Sequence, residues 1–142
     1  MNVEMILKTK GNDVVTTKPD STLADVAATL TERKIGALVV SPDAKRVAGI
    51  VSERDIVRAI ADKGVAALKM PVAEAMTRKV STCTRADSVE KLMTTMSQGR
   101  FRHLPVVEDG KLCGMISIGD VVKFRLEEVE HEAEVLREFI SS

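Results

Sequence analysis

Gly49-Ile50-Val51-Ser52-Glu53-Arg54-Asp55 and Gly114-Met115-Ile116-Ser117-Ile118-Gly119-Asp120 carry one pattern 65 positions apart: a glycine, two apolar residues, a serine, two spacers and an aspartate. In each copy an apolar run ends at Ser-x-x-Asp, the signature of a helix N-terminus whose serine caps a backbone N–H and whose acidic residue reaches back. Strand is therefore expected to pass into helix at Ser52 and again at Ser117. Upstream, sliding the chain by 66 places Leu23, Val26, Ala27 and Leu30 on Val89, Leu92, Met93 and Met96, so one helical stripe spaced i, i+3, i+4, i+7 occurs twice. Asp20-Ser21-Thr22 and Asp87-Ser88 supply start signals, with Asp25 and Glu90 in the first turns. Ala37-Leu38-Val39-Val40 and His103-Leu104-Pro105-Val106 read as strands, each followed by a turn, Ser41-Pro42-Asp43 and Glu108-Asp109-Gly110.

The unit is strand, helix, strand, strand, helix. The chain holds two, residues 5–65 and 66–128, connected through 63–71 and followed by a helical extension at 129–142. At about 55 residues a unit is small for independent stability, so the two are expected to share a core. The fold class is α+β.

Composition narrows the function. Three Phe with no Trp or Tyr provide no stacking platform for single strands, and 21 basic against 21 acidic residues provide no overall basic field for duplex DNA. Nucleic acid is not an expected partner. No apolar run approaches the roughly 18 residues of a membrane span, so a cytoplasmic chain without membrane contact is expected. Cys83, Cys113, His103 and His131 show no metal-ligand spacing, and no metal site is expected. No nucleophile elbow or Walker-type loop is present, and His103 is the sole candidate base, so no catalytic residues and no enzymatic activity are expected.

The tandem Gly-apolar-apolar-Ser-x-x-Asp stretches, together with Arg102-His103-Leu104-Pro105-Val106-Val107 and the Val72-x-x-x-Met76-Thr77 lead-in, resemble a cystathionine-β-synthase (CBS) domain pair, or Bateman module. The resemblance runs from about Met5 to Leu126. It implies two β-α-β-β-α repeats related by pseudo-two-fold symmetry, and a regulatory module that binds adenine nucleotides (AMP, ADP, ATP or NAD(H)) between the repeats. In such modules the Asp holds the ribose and the Ser sits near the ribose or α-phosphate. That carries over to Asp55 with Ser52 and to Asp120 with Ser117. The lead-in strand of the opposite repeat completes each site, which brings Met76, Thr77 and Arg78 to the first and Lys8-Thr9-Lys10-Gly11 to the second. Arg102 and His103 are implied to face phosphates near Asp120, while Arg54 reaches across toward a phosphate tail. A dinucleotide or polyphosphate would then span both halves.

The residues agree with that chemistry without requiring it. A carboxylate accepts from two neighbouring ribose hydroxyls, and a helix N-terminus at a strand end favours phosphate. With no Trp or Tyr, adenine is left to backbone and to Ile50, Val51, Met76, Met115 and Ile116. Residues 1–126 carry 20 basic and 15 acidic side chains, a net of +5, and 127–142 carry 1 and 6, a net of −5. The basic surplus favours phosphate-bearing ligands over adenosylmethionine. The alternative is a ligand-free interaction scaffold whose Ser-x-x-Asp pairs are caps and nothing more.

From Val122 the apolar positions Val122, Leu126, Val129, Ala133, Leu136 and Ile140 form a heptad seam amid glutamates. It is too short for a free coiled coil, so it is expected to dock on its own module or on a partner's helix, in a homodimer of modules. No enzyme, transporter or DNA-binding segment accompanies the repeats, so the regulated client is expected to be a separate chain.

Overall fold

The computed structural model describes residues 1–141. Its order is α1 (Val3–Lys10), β1 (Thr16–Thr17), α2 (Leu23–Arg33), β2 (Ala37–Val40), β3 (Gly49–Ser52), α3 (Glu53–Lys63), α4 (Val89–Gly99), β4 (His103–Glu108), β5 (Lys111–Ser117) and α5 (Ile118–Ser141). Residues 63–71, expected as a plain connection, wind into the 3-10 turn Gly64–Lys69; a second such turn is Val72–Glu74.

The halves follow the same local chemistry. Thr22 and Ser88 cap α2 and α4 by accepting from the N–H groups of Asp25 and Lys91, and both helices end at a left-handed residue, Lys34 and Arg100. Leu23, Val26 and Leu30 line the buried face of α2, as Val89, Leu92 and Met96 do on α4. β1 runs parallel to β2, which pairs antiparallel with β3. β4 pairs antiparallel with β5, and Cys83 pairs in parallel with Val106 as Thr17 does with Val40.

The core is not shared. One apolar cluster gathers Leu23, Val26, Leu30, Leu38, Val40, Val51, Ile56 and Val72; the other gathers Val3, Ile6, Leu7, Cys83, Val89, Leu92, Met96, Leu104, Val106, Ile116 and Val121. What unites the halves is an exchange of lead-ins. The N-terminal α1 packs into the second half, and the 72–76 segment packs into the first. Packing thus ignores the boundary at 65/66 drawn from the repeat.

The exchange obeys the pseudo-two-fold. Val3 N–H donates to the Asp87 carbonyl at 3.0 Å and Val89 N–H to the Met1 carbonyl at 3.3 Å; across the axis Val72 N–H donates to Ser21 at 2.7 Å and Leu23 N–H to Met70 at 3.1 Å. Two glycines make room for the inserted side chains. A Cβ on Gly49 would stand 2.5 Å from Met76 Sδ, and one on Gly114 would stand 2.8 Å from Leu7 Cδ2. The lead-ins themselves differ: 77 pairs with Ile50 as extended chain, whereas Lys8 to Lys10, expected as a strand, form the last turn of α1. Asn2 starts that helix by accepting from the Met5 N–H.

The C-terminal extension continues the last helix of the second repeat without a break. Its seam does not dock on its own module. Val122, Leu126, Leu136 and Ile140 are 52%, 59%, 58% and 74% exposed, and Val121 is the one buried residue of α5. No helix of the described residues is long and apolar enough to cross a membrane.

Candidate functional site

Both Ser-x-x-Asp elements are caps in fact. Asp55 Oδ2 accepts from the Ser52 N–H at 2.9 Å and from its hydroxyl at 3.1 Å, while Ser52 Oγ accepts from the Asp55 N–H at 3.4 Å. Asp120 Oδ2 accepts from the Ser117 N–H at 2.8 Å and Ser117 Oγ from the Asp120 N–H at 3.1 Å. In both cases capping engages Oδ2. The remaining oxygen of Asp55 lies 3.7 Å from Arg58 Nη1. A cap and a ligand contact are therefore compatible on one carboxylate, which has about four lone-pair positions.

Each cap opens into a cleft. The first, about 550 Å³, is walled by Ile50, Ser52, Arg54, Asp55, Arg58, Thr77, Lys79 and the 99–103 segment. The second, about 370 Å³, is walled by Lys10, Asp13, Val14, Val15, Lys34, Met115, Ser117 and Asp120. Gly36, Ala37 and His103 border both. A Cβ on Gly36 would lie 3.3 Å from His103 Cε1, so the missing side chain is what lets the imidazole lie along the partition.

Ser52, Arg54, Asp55, Ile50 and Thr77 meet in the first cleft; Lys10, Met115, Ser117 and Asp120 meet in the second. Arg102, expected beside Asp120, borders the Asp55 cleft instead, and His103 borders both. The reason is their place at the start of β4, on the seam between halves. Arg78 turns back to donate to the Ala73 carbonyl at 3.1 Å and borders neither cleft. Met76 is half-buried under Gly49 against the first core, while Val51 and Ile116 are fully buried and present no surface for adenine. Lys79, Arg58 and Arg100 were not picked out from sequence. Lys79 had a signal: it stands 69 positions after Lys10, the same step that relates Leu7 to Met76.

Charge differs between the clefts. Arg54, Arg58, Lys79, Arg100 and Arg102 face Glu53 and Asp55 in the first, five cations to two carboxylates. In the second, Lys10 and Lys34 balance Asp13 and Asp120. The Asp55 cleft is thus the stronger anion site.

Two groups at the second cleft titrate away from their ordinary ranges. Burial raises the Asp120 carboxyl, but the Lys10 ammonium and the Ser117 N–H outweigh it and hold the group below the usual carboxylate value. Burial lowers His103, the Lys10 and Arg102 charges add to that, and Asp120 and Glu53 oppose it. The folded chain therefore takes up its His103 proton at lower pH than the unfolded chain. The resulting stability is full above the unfolded value of about 6.5 and is lost as pH falls from there through the folded value. Melting temperatures compared about one pH unit either side of that value are expected to drop on the acid side, with a shallower drop in His103→Gln.

Cys83 lies buried in the second core, where burial pushes its thiol up to about 12, so the thiolate needed for redox chemistry is suppressed. Among the described residues there is no group of three or more His, Cys, Asp or Glu able to hold a metal ion.

The two-fold repetition of core, cap and cleft has a counterpart in sequence: the CBS domain model matches residues 6–62 and again 72–127. The chain belongs to the CBS domain family. As a tandem CBS pair it is similar to a CBS-domain-containing protein of Agrobacterium tumefaciens, with 48% identity, 88% of this chain and 99% of that one covered, and a TM-score of 0.85. It is 36% identical over 125 residues to the mitochondrial CBS domain-containing protein CBSX3 of Arabidopsis thaliana, covering 85% of this chain but only 61% of that protein. A CBS domain protein of Pyrobaculum aerophilum, solved in complex with AMP, is 28% identical, with 84% and 89% of the two chains covered and a TM-score of 0.74. The α+β architecture of this CBS pair follows the fold of the Agrobacterium protein.

Proposed function

We propose that this CBS pair is a non-enzymatic sensor that binds adenine nucleotides, among AMP, ADP, ATP and NAD(H), in its two clefts and passes occupancy to a separate protein. The observation that carries the reading is the duplicated cap whose carboxylate faces a cleft bearing, at Asp55, five cations. Asp55 takes the ribose hydroxyls, Arg54, Lys79 and Arg102 take the phosphates, and Ile50 and backbone flank the base. Asp120, Ser117 and Met115 offer the corresponding set in the second cleft. AMP in the Pyrobaculum relative supports the ligand class. Occupancy reaches the opposite half through Thr77, which borders the first cleft and is paired to Ile50 at 2.8 and 3.0 Å.

The test is a thermal-shift panel with AMP, ADP, ATP and NADH, joined to mass spectrometry of what the purified chain releases on denaturation. A nucleotide at about 100 times its Kd adds about 2.7 kcal/mol, a shift of several degrees. No shift with any of them at millimolar concentration, and no released nucleotide, would favour the scaffold in which the serines and aspartates are caps only. A chain without Trp or Tyr also makes bound purine conspicuous by its ultraviolet absorbance.

The exposed seam on α5, with Val57 and Ile60 exposed on α3, supports a homodimer of modules. Light scattering at micromolar concentration is expected to give a dimer that deletion of residues 129–142 weakens. A monomer unchanged by that deletion would refute it.

A further inference from the structure

In the first half the Ile50 carbonyl accepts from the Thr77 N–H at 2.8 Å. Met115 is the counterpart of Ile50, but its lead-in is helical and uses its backbone groups internally. The Met115 carbonyl accepts instead from Lys10 Nζ, at 2.6 Å. The same ammonium is ion-paired with Asp120 Oδ2, the oxygen that caps α5. One side chain thus bridges the second cleft from Met115 to Asp120. Among the described residues nothing comparable covers Asp55: its ion pair is Arg58, on its own helix, and Lys79 borders the cleft without a bond to it.

We infer that Lys10 is the specificity-determining residue of the Asp120 cleft, selecting ligands that bring a phosphate beside the sugar and rejecting the uncharged nucleoside. This rests on the nucleotide reading above and narrows it. Lys10 and the Ser117 N–H both sit on Oδ2, so a pair of sugar hydroxyls that engages both oxygens of the Asp120 carboxylate competes with the ammonium for it. A nucleotide offers the displaced Lys10 a phosphate, and lysine, a compact charge on a flexible stem, suits that transfer. A nucleoside offers it nothing, and the Met115 carbonyl loses its donor as well. Lys10 and Asp120 are 34% and 24% exposed, so the contact is open enough to exchange and buried enough to bias binding.

The experiment is calorimetry with ATP and with adenosine on an Asp55→Asn chain, which confines the question to the second cleft, with and without Lys10→Met. ATP is expected to bind the Asp55→Asn chain and adenosine to bind it far more weakly. Adding Lys10→Met is expected to strengthen adenosine by about five- to tenfold and weaken ATP by a similar factor, collapsing the preference. An ATP-to-adenosine ratio unmoved by Lys10→Met overturns the inference and leaves the nucleotide reading intact, as does ATP binding that vanishes with Asp55→Asn alone. Failure of AMP, ADP, ATP and NADH alike on the unmodified chain overturns the nucleotide reading itself, and this inference with it. Because Lys10 lies at the surface, Lys10→Ala serves as a second variant should Lys10→Met alter the melting temperature.

Discussion

An Asp55→Asn chain is expected to bind ATP in the first cleft roughly 100-fold more weakly, because each ribose hydroxyl left without its carboxylate acceptor costs about 1–3 kcal/mol. Asparagine is the informative replacement. Asp55 is 8% exposed and its Oδ2 receives two hydrogen bonds from Ser52, so alanine would remove the cap together with the ligand contact. Cap loss alone costs about 1 kcal/mol and would blur a thermal-shift result. The amide keeps an oxygen for the Ser52 N–H but turns one acceptor into a donor, so stability should change little while affinity falls. Calorimetry with ATP measures the affinity and a melt without ligand measures the cap. Unchanged ATP affinity in Asp55→Asn would show that this carboxylate caps α3 and does nothing else.

Gly49→Ala is expected to cost about 2–3 kcal/mol, lowering the melting temperature by roughly 10 °C. The added methyl would stand 2.5 Å from Met76 Sδ and 2.9 Å from the Thr77 carbonyl. Methionine can swing away; the Thr77 backbone cannot, because it is paired to Ile50 on either side of its own peptide. Gly119→Ala is the matched control. Its Cβ would meet Ser117 Oγ at 3.6 Å, an ordinary contact at the start of a helix, where alanine is the better residue. Equal melting temperatures for the two variants would mean that the 72–77 segment gives way without cost, and that the lead-in exchange is not what holds the halves together.

The local features were legible because their causes are local. A cap is a contract between residues three apart, and so Ser52 with Asp55, Ser117 with Asp120, Thr22 and Ser88 can each be read from the letters alone. The stripes Leu23, Val26, Leu30 and Val89, Leu92, Met96 are equally short in range. The helix at Val3–Lys10 departs from the lead-in strand that the family resemblance implies there, although Asn2 and Glu4 mark its start. The division into two cores was hidden for another reason: strands and helices of the two repeats align at steps of 66 and 65, whereas the lead-ins align at 69, and no single slide reveals both. Arg102 illustrates the limit. Gly36 is its counterpart, and the cleft that a residue on this seam joins depends on how the halves rotate about the axis, which no nearby residue reports.

The exchange of lead-ins also sets an order of assembly. α1 belongs to a core whose other members are residues 83–121, and the bond from Lys10 to Asp120 spans 110 positions. During synthesis from the N-terminus the first ten residues therefore wait, apolar side chains uncovered, until most of the remaining chain has emerged, while the first core needs nothing beyond about residue 76. The half made first is completed first, and α1, made before it, finds its place only with the second. A nascent chain halted between the two repeats would hold a finished module carrying an unclaimed helix at its head, ready to be seized by the second half of a neighbour.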